Sequence, residues 1–232
     1  MYKALIRPVL FLLDPEKVHH AVVFILKTVT VIPGMRSLLT ACFSWKDPSQ
    51  ITKVAGLEFK NKVGLAAGFD KNADFFSEFS VFGFSFIEIG TVTPLPQPGN
   101  PKPRLFRLVK DQALINRMGF NNKGVDHAVK KLKIRNPSLI IGGNIGKNTL
   151  TPNDQASDDY AYCFDSLYDV VDYFAVNVSC PNIAGMEKLQ DNDSLREILD
   201  KVMKIRAGKS IRKPVFLKIS PELTFRQLDE II

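Results

Sequence analysis

The sequence predicts an α/β fold: a parallel sheet, either open or closed into a barrel, carried behind an N-terminal helical extension. Three observations predict it. Beyond residue 60, short unbroken apolar runs recur at 63–67, 86–90, 139–144, 173–178 and 215–219, the pattern of parallel strands covered on both faces. Segments of helical period separate most of them, which makes alternating β and α units. Each run is followed by glycines, amides, hydroxyls or a lysine, the residues of a site at the carboxyl edge of such a sheet.

Taken in order, the chain opens on "LIRPVLFLLDPEKVHHAVVFILKTVTVIPGM". Asp14 before Pro15 is an N-cap followed by proline at the first helical position. Two amphipathic helices follow, 3–13 and 15–30, ended by Pro33 and Gly34. Asp14, Glu16, Lys17, His19, His20 and Lys27 interrupt the apolar residues, and no run reaches the length of a membrane span. Two destinations stay open for these helices: packing on the main domain, or lying in a membrane interface with Lys3, Arg7 and Lys27 near headgroups. The extension is set at 1–44 and the main domain at 45–232.

Five prolines at 94, 96, 98, 101 and 103 make "TPLPQPGNPKPRLFRL" an extended, stiff loop that ends in a short hairpin strand. "INRMGFNN" supplies a second loop. Helices are expected at 124–133, through Val125, Ala128, Val129 and Leu132, and at 194–206, through Leu195, Ile198, Leu199, Val202 and Ile205. The basic cluster Lys130, Lys131, Lys133 and Arg135 reads as a solvated helix face and C-terminus. Thr224 and Gln227 are spaced as a capping box. The helix they open stops on Ile231 and Ile232, the ending expected of a fragment.

The bulk numbers bound the function. A chain of 232 residues, 45% hydrophobic with mean hydropathy -0.00, holds ample material for a core. A net charge of +7 and a pI near 9.3 suit anionic partners, or merely a soluble basic surface. Three dispersed cysteines without CxxC spacing argue against a disulfide framework and for a reducing compartment. The three histidines match no metal-ligand pattern, so no metal is expected.

The strand ends carry the chemistry. Asn144 and Asn177 sit in apolar runs, where an unpartnered amide is costly. A flat heterocycle with imide and carbonyl edges would partner them; so would nearby backbone. Lys71 and Lys218 each follow a strand, and either snorkel to solvent or hold negative charge. Cys180, in "VNVSCPN", lies past a strand among amides, where a thiol can abstract a proton or act as a nucleophile. With no sequence sign of a partner histidine, a protease-like dyad is not supported.

Six motifs in register, "AAGFDKN", "IEIGTVTPLPQPGNPKPRLFRL", "INRMGFNNKGVD", "GGNIGKN", "VNVSCPN" and "FLKISPEL", resemble dihydroorotate dehydrogenase. The extension with "LDPEKVHH" resembles the membrane-associated, quinone-reducing class. The resemblance implies an FMN-binding (β/α)₈ TIM barrel, of which about five units are present. It implies oxidation of (S)-dihydroorotate to orotate in de novo pyrimidine (UMP) biosynthesis. FMN would accept hydride and a membrane quinone would take the electrons, on a protein held peripherally at the cytoplasmic face of a bacterial inner membrane. No nucleic acid is implied as a partner. Cys180 matches the catalytic base. Lys71, Asn116, Arg117, Met118, Gly119, Phe120, Asn177 and Asn182 match substrate contacts. Ala67, Gly68, Phe69, Asp70, Lys71, Thr91, Asn144, Asn177 and Lys218 match FMN contacts. His19 and Arg107 match residues lining the quinone entrance.

Two departures stand out. The membrane class carries serine where this chain has Cys180, and a thiol's free pKa of about 8.5 implies activity persisting to lower pH. Family members also continue through three further βα units that grip the phosphate and add a substrate asparagine, so these 232 residues alone are expected to be inactive. Two other readings remain: a soluble-class enzyme using fumarate or NAD, and a non-catalytic membrane-binding protein with an incomplete barrel.

Overall fold

The computed structural model describes residues 2–45, 47–179, 189 and 192–232. Its extension begins with a π-helical turn, Tyr2–Ile6, and continues as α1 (Arg7–Phe11). One helix over 3–13 was expected. Pro8 accounts for the difference, since it has no N–H to return to the Ala4 carbonyl. Helix α2 (Pro15–Val31) starts as the sequence predicts, with the Asp14 carboxylate accepting from Lys17 N at 3.0 Å. Gly34, at φ +80, turns the chain straight into a third helix, α3 (Met35–Phe43), which the Pro33–Gly34 break had concealed. Helices α2 and α3 are bent by 114° to one another, and no single described helix is long and apolar enough to cross a membrane.

A hairpin of β1 (Thr52–Val54) and β2 (Leu57–Phe59) follows. Its turn residues Ala55 and Gly56 both have positive φ, the conformation of the tightest hairpins. The main sheet has five parallel strands in sequential order: β3 (Gly64–Leu65), β4 (Phe86–Val92), β7 (Ile140–Ile145), β8 (Tyr173–Asn177) and β9 (Val215–Lys218). Each lies within two or three residues of an expected run, although β3 is much shorter than 63–67. Between β4 and β7 lies a second hairpin, β5 (Leu105–Leu108) with β6 (Ala113–Asn116), fuller than the single hairpin strand expected. Helices α4 (Phe76–Phe79), α5 (Val125–Leu132), α6 (Ala156–Leu167), α7 (Asn192–Ala207) and α8 (Phe225–Ile231) complete the chain. At α8 the Thr224–Gln227 capping box is formed.

Alternation along the strands sorts the two faces of the sheet. Ile87, Ile89, Ile141, Ile145, Phe174 and Val176 are wholly buried and join the core with Val125, Leu132, Tyr160, Phe164, Leu167 and Ile198 from the covering helices. The other face begins with aromatic rings. Phe86 lies 5.3 Å from Phe59 and 6.4 Å from Tyr173, which in turn lies 5.5 Å from Phe216. Gly142, paired with Tyr173 across the ladder, makes room for this layer: a Cβ there would stand 2.2 Å from the Tyr173 ring. Above the rings come Glu88, Asn144, Asn177 and Lys218, so the face turns polar toward the carboxyl edge.

The basic cluster after α5 needs correction at one position. Arg135 is not a solvated end but a clamp: its guanidinium grips Asp172 at 2.5 and 2.9 Å and donates to the Leu139 carbonyl. Asp172 also accepts from Ile141 N, so the pair ties the start of β7 to the start of β8.

Candidate active site

Three polar side chains meet at the carboxyl edge: Thr91 of β4, Asn144 of β7 and Asn177 of β8, all buried. They supply partners to one another. Thr91 Oγ1 donates to Asn144 Oδ1 (2.5 Å) and accepts from Asn177 Nδ2 (2.9 Å). Asn144 Nδ2 donates to Glu88 Oε1 at 2.8 Å, and Tyr173 OH donates to the other oxygen of that carboxylate at 3.0 Å. At the far end, Asn177 Oδ1 accepts from Ser179 N and Oγ and lies 3.5 Å from Lys218 Nζ. The ammonium also reaches Ser179 Oγ at 3.3 Å. Lys218 is therefore drawn into the amide cluster.

The turn after β3 is tied to the end of β4: Gly68 N donates to the Gly90 carbonyl and Gly90 N to that of Asp70. Ala67 precedes it. Gly68 has φ +100 and open space where a side chain would stand, so a ligand can approach its backbone closely. Three consecutive residues then face three ways. The Phe69 ring meets the His19 ring of the extension edge-on at 4.7 Å. Asp70 is wholly buried, its carboxylate accepting from Asp74 N (2.8 Å) and Phe75 N (3.0 Å). Burial outweighs those amides and lifts its pKa to about 6. Lys71 Nζ donates to Asn121 Oδ1 at 2.7 Å and reaches the Gly119 carbonyl at 3.4 Å.

That contact joins Lys71 to the loop 116–120. Asn116 closes β6 and accepts from Met118 N. The Arg117 guanidinium donates to the Pro103 carbonyl, and the Met118 carbonyl accepts from Asn100 N. Gly119 has φ +65, and Phe120 is buried with its carbonyl held by Gln97 and Asn122. The proline-rich stretch thus serves as a brace for this loop.

At the extension, Arg107 donates to the Leu13 carbonyl at 2.6 Å, with its guanidinium 4.6 Å from the Phe11 ring centre. His19 contacts Phe69 and Phe75, and burial depresses its pKa, helped by neighbouring His20. Cys180 and Asn182 lie outside the described residues.

Sequence reasoning missed five participants. Glu88 and Tyr173 hold the base of the amide cluster, Asn121 is the partner of Lys71, and Glu16 with Arg104 docks the extension. Glu88 carried a signal, a lone acid between Ile87 and Ile89 in a buried run. A concavity of about 620 Å³, lined in part by Trp45, Asn61, Phe84 and Leu139, lies near the opposite, amino ends of β4 and β7 and contains none of these groups.

Comparison with known proteins gives a consistent picture. Residues 50–232 match the family model described as dihydroorotate dehydrogenase. The chain is 53% identical over 232 residues to the dihydroorotate dehydrogenase (quinone) of Christiangramia forsetii, covering all of this chain and 68% of that protein. It is 45% identical over 229 residues to the enzyme of the same name from Roseiflexus castenholzii, covering 98% of this chain and 62% of that one. Among solved structures, dihydroorotate dehydrogenase of Eimeria tenella in complex with ferulenol superposes with a TM-score of 0.80 at 34% identity. That match spans 94% of this chain and 62% of the other. The chain thus spans about two thirds of the length of the proteins it matches.

Proposed function

Since the chain belongs to the dihydroorotate dehydrogenase family, we propose that it serves the oxidation of (S)-dihydroorotate to orotate, with FMN as hydride acceptor and a membrane quinone as final acceptor. One observation carries the reading. Two lysines, Lys71 joined to the loop 116–120 and Lys218 joined to Asn177, stand at the carboxyl ends of the strands, where Thr91, Asn144 and Asn177 meet. The quinone class is supported by its relatives, which are dihydroorotate dehydrogenases (quinone), and by a helical extension joined to the site.

The donor set fits a flavin. Asn144, Asn177 and Thr91 offer a polar floor, Lys218 a positive charge, and Gly68 an open backbone. Bound there, the flavin supplies the hydride acceptor. The protein's own groups do the remaining work. Lys71 and the amides of Asn116, Asn177 and Asn182 orient a planar carboxylate-bearing ring. Cys180 removes the proton at C5. Lys218 stabilises negative charge that builds beside it.

The turn 67–71 links the two halves of the reaction, because Phe69 touches the extension while Lys71, two residues on, touches the substrate loop. His19, Phe69 and Phe75 form an edge-to-face ring cluster at that junction, an apolar setting suited to a quinone ring. Exposed Leu5, Val9, Leu12, Phe24 and Leu38 suit peripheral attachment to a membrane, at the cytoplasmic face of a bacterial inner membrane.

The test is made on the full-length protein. It should carry flavin and reduce a ubiquinone analogue with dihydroorotate, and lose that acceptor when residues 1–44 are deleted. Reduction of fumarate or NAD instead, undisturbed by the deletion, would overturn the quinone assignment.

A further inference from the structure

One side chain stands between the extension and the substrate loop. Arg104 is buried, and all three of its guanidinium nitrogens are hydrogen-bonded. Its Nε and Nη2 edge forks onto the Glu16 carboxylate of α2 at 3.1 and 2.7 Å. Its Nη1 donates to the carbonyls of Pro98 (2.7 Å) and Asn100 (3.0 Å). Residues 98–104 therefore form an arc closed on the side chain of its own last member. Prolines at 98, 101 and 103 have no N–H to donate, so the arc is tied largely through its carbonyls. Asn100 N donates to the Met118 carbonyl and Asn100 Nδ2 to that of Arg117, both at 2.9 Å, while Arg117 N donates to the Arg104 carbonyl. Gly99 lies at the junction. A Cβ there would stand 2.4 Å from the Met118 oxygen, 2.7 Å from Asn121 Cβ and 3.0 Å from Arg104 Nη1. The guanidinium, the arc and the loop are thus packed as one piece, and Lys71 is bonded to that piece at Asn121.

Building on the substrate and quinone sites proposed above, we infer that Arg104 is a positioning residue that couples docking of the extension to the affinity of the loop 116–120 for dihydroorotate. The guanidinium is planar and rigid, and its two sets of bonds are made by different nitrogens of one group. Helix α2 cannot carry its carboxylate away without breaking the fork or drawing Nη1 off the two carbonyls. In the first case two buried N–H groups lose their acceptor, and the guanidinium must turn to find others. In the second the arc loses its clamp directly. The bonds of Asn100 and Arg117 do not stand in for the clamp. They lie between arc and loop, and carry to the loop whatever displaces the arc. Such coupling is reciprocal: a pyrimidine carboxylate held by the loop tightens α2, and a docked α2 favours that ligand. Occupancy of the substrate loop is thereby registered at the helix beside the quinone entrance.

The experiment uses the full-length, FMN-loaded protein. It reads hydrogen exchange of the α2 amides with and without saturating orotate, and kcat and KM for dihydroorotate with a ubiquinone analogue held saturating. In the wild type, orotate should slow α2 exchange about fivefold; no slowing would overturn the inference. Arg104→Lys keeps the charge, but one ammonium cannot serve the carboxylate and both carbonyls at once. It should raise KM for dihydroorotate about fivefold with kcat within about twofold, and orotate should no longer slow α2 exchange. Lys102→Ala removes an exposed contact to Glu16 at 3.3 Å and leaves the fork in place, so KM should stay within about twofold. An unchanged KM in Arg104→Lys, an orotate response that survives there, or an equal rise of KM in Lys102→Ala would leave the fork a mere anchor. Should Arg104→Lys not fold, Glu16→Gln sets an amide N–H₂ against one arm of the fork; it should abolish the orotate response likewise, and a response that persists is equally fatal. A wild-type protein that binds no flavin would sink the proposed function itself, a result distinct from normal turnover with an α2 indifferent to orotate.

Discussion

The sheet buries a continuous apolar core, and the extension buries only three residues, two of them polar. In the sheet, Ile87, Ile89, Ile141 and Phe174 are sealed from water. In the helices before it, the buried residues are Glu16, Val23 and Thr30, while Leu12 is 86% and Phe24 71% exposed. The sheet is held by apolar packing. The extension is held by a buried ion pair, Glu16 with Arg104 at 2.7 and 3.1 Å and Lys102 nearby, supported by the His19–Phe69 contact and the Arg107–Leu13 hydrogen bond. The same apolar letters thus do two jobs: one set makes the core, the other is left for a second surface.

The sharpest way to break the contrast is to open a hole in the sheet. Phe174, 4.2 Å from Phe164, should lose about 4–5 kcal/mol of global stability on truncation to alanine, read as a lower denaturant midpoint with unchanged slope. Less of the molecule should respond to Glu16→Ala. Removing one partner of a buried pair costs about 3–4 kcal/mol, and here the loss should confine itself to docking. Amide hydrogens of α2 would exchange faster while those of β7 and β8 keep their protection; uniform loosening would mean that the extension is part of the core after all.

Acid should pull the two regions apart. Arg104, chiefly by its hydrogen bonds and charge, holds Glu16 below its ordinary pKa against the opposing effect of burial. That stabilisation is present above the unfolded value of 4.5 and is lost as pH falls. His19, depressed by burial, works in the same sense, because the unfolded chain takes up a proton first. Asp70 works in the opposite sense. Its folded pKa of about 6 stands above the unfolded 3.8, so its contribution is full below 3.8 and is lost as pH rises through about 6. A two-unit shift corresponds to about 3 kcal/mol. Between those values Asp70→Asn should flatten the pH dependence of global unfolding, whereas Glu16→Gln should flatten that of α2 exchange. An unchanged slope in Asp70→Asn would refute the burial account.

The smallest expected effect separates the two regions most cleanly. Phe24→Ser should change stability in solution by less than about 0.5 kcal/mol, yet reduce sedimentation with anionic vesicles. A large loss of stability would place that ring in a core.

The strands were legible because parallel strands covered on both faces read as unbroken apolar runs, and their polar ends because glycine and asparagine interrupt such runs abruptly. Helix α6 was missed although Ala156, Tyr160, Cys163, Phe164 and Leu167 keep helical spacing; aspartates at 158 and 165 on the other face, and Asp159 beside the core, masked it. Strand β5 was anticipated as a hairpin strand, but its partner β6 and the β1–β2 hairpin escaped because strands of three or four residues carry too little pattern. At the site, Lys71, Asn144, Asn177 and Lys218 were legible as isolated polar residues in apolar settings. Their mutual partners were not, since Glu88 to Asn144 spans 56 positions and sequence spacing gives no access to register. The pairing of Glu16 with Arg104, 88 residues apart, was hidden for the same reason.

The empty place at Gly142 constrains how this lineage can change. The phenol of Tyr173 fills the volume that any side chain at 142 would claim, so the two positions cannot drift independently. A smaller residue must first replace Tyr173, and only afterwards can 142 acquire a methyl group. The reverse order passes through a collision. Related proteins that carry alanine or serine at 142 should therefore be found with a shrunken neighbour at 173, a one-way mutational path imposed by a missing carbon.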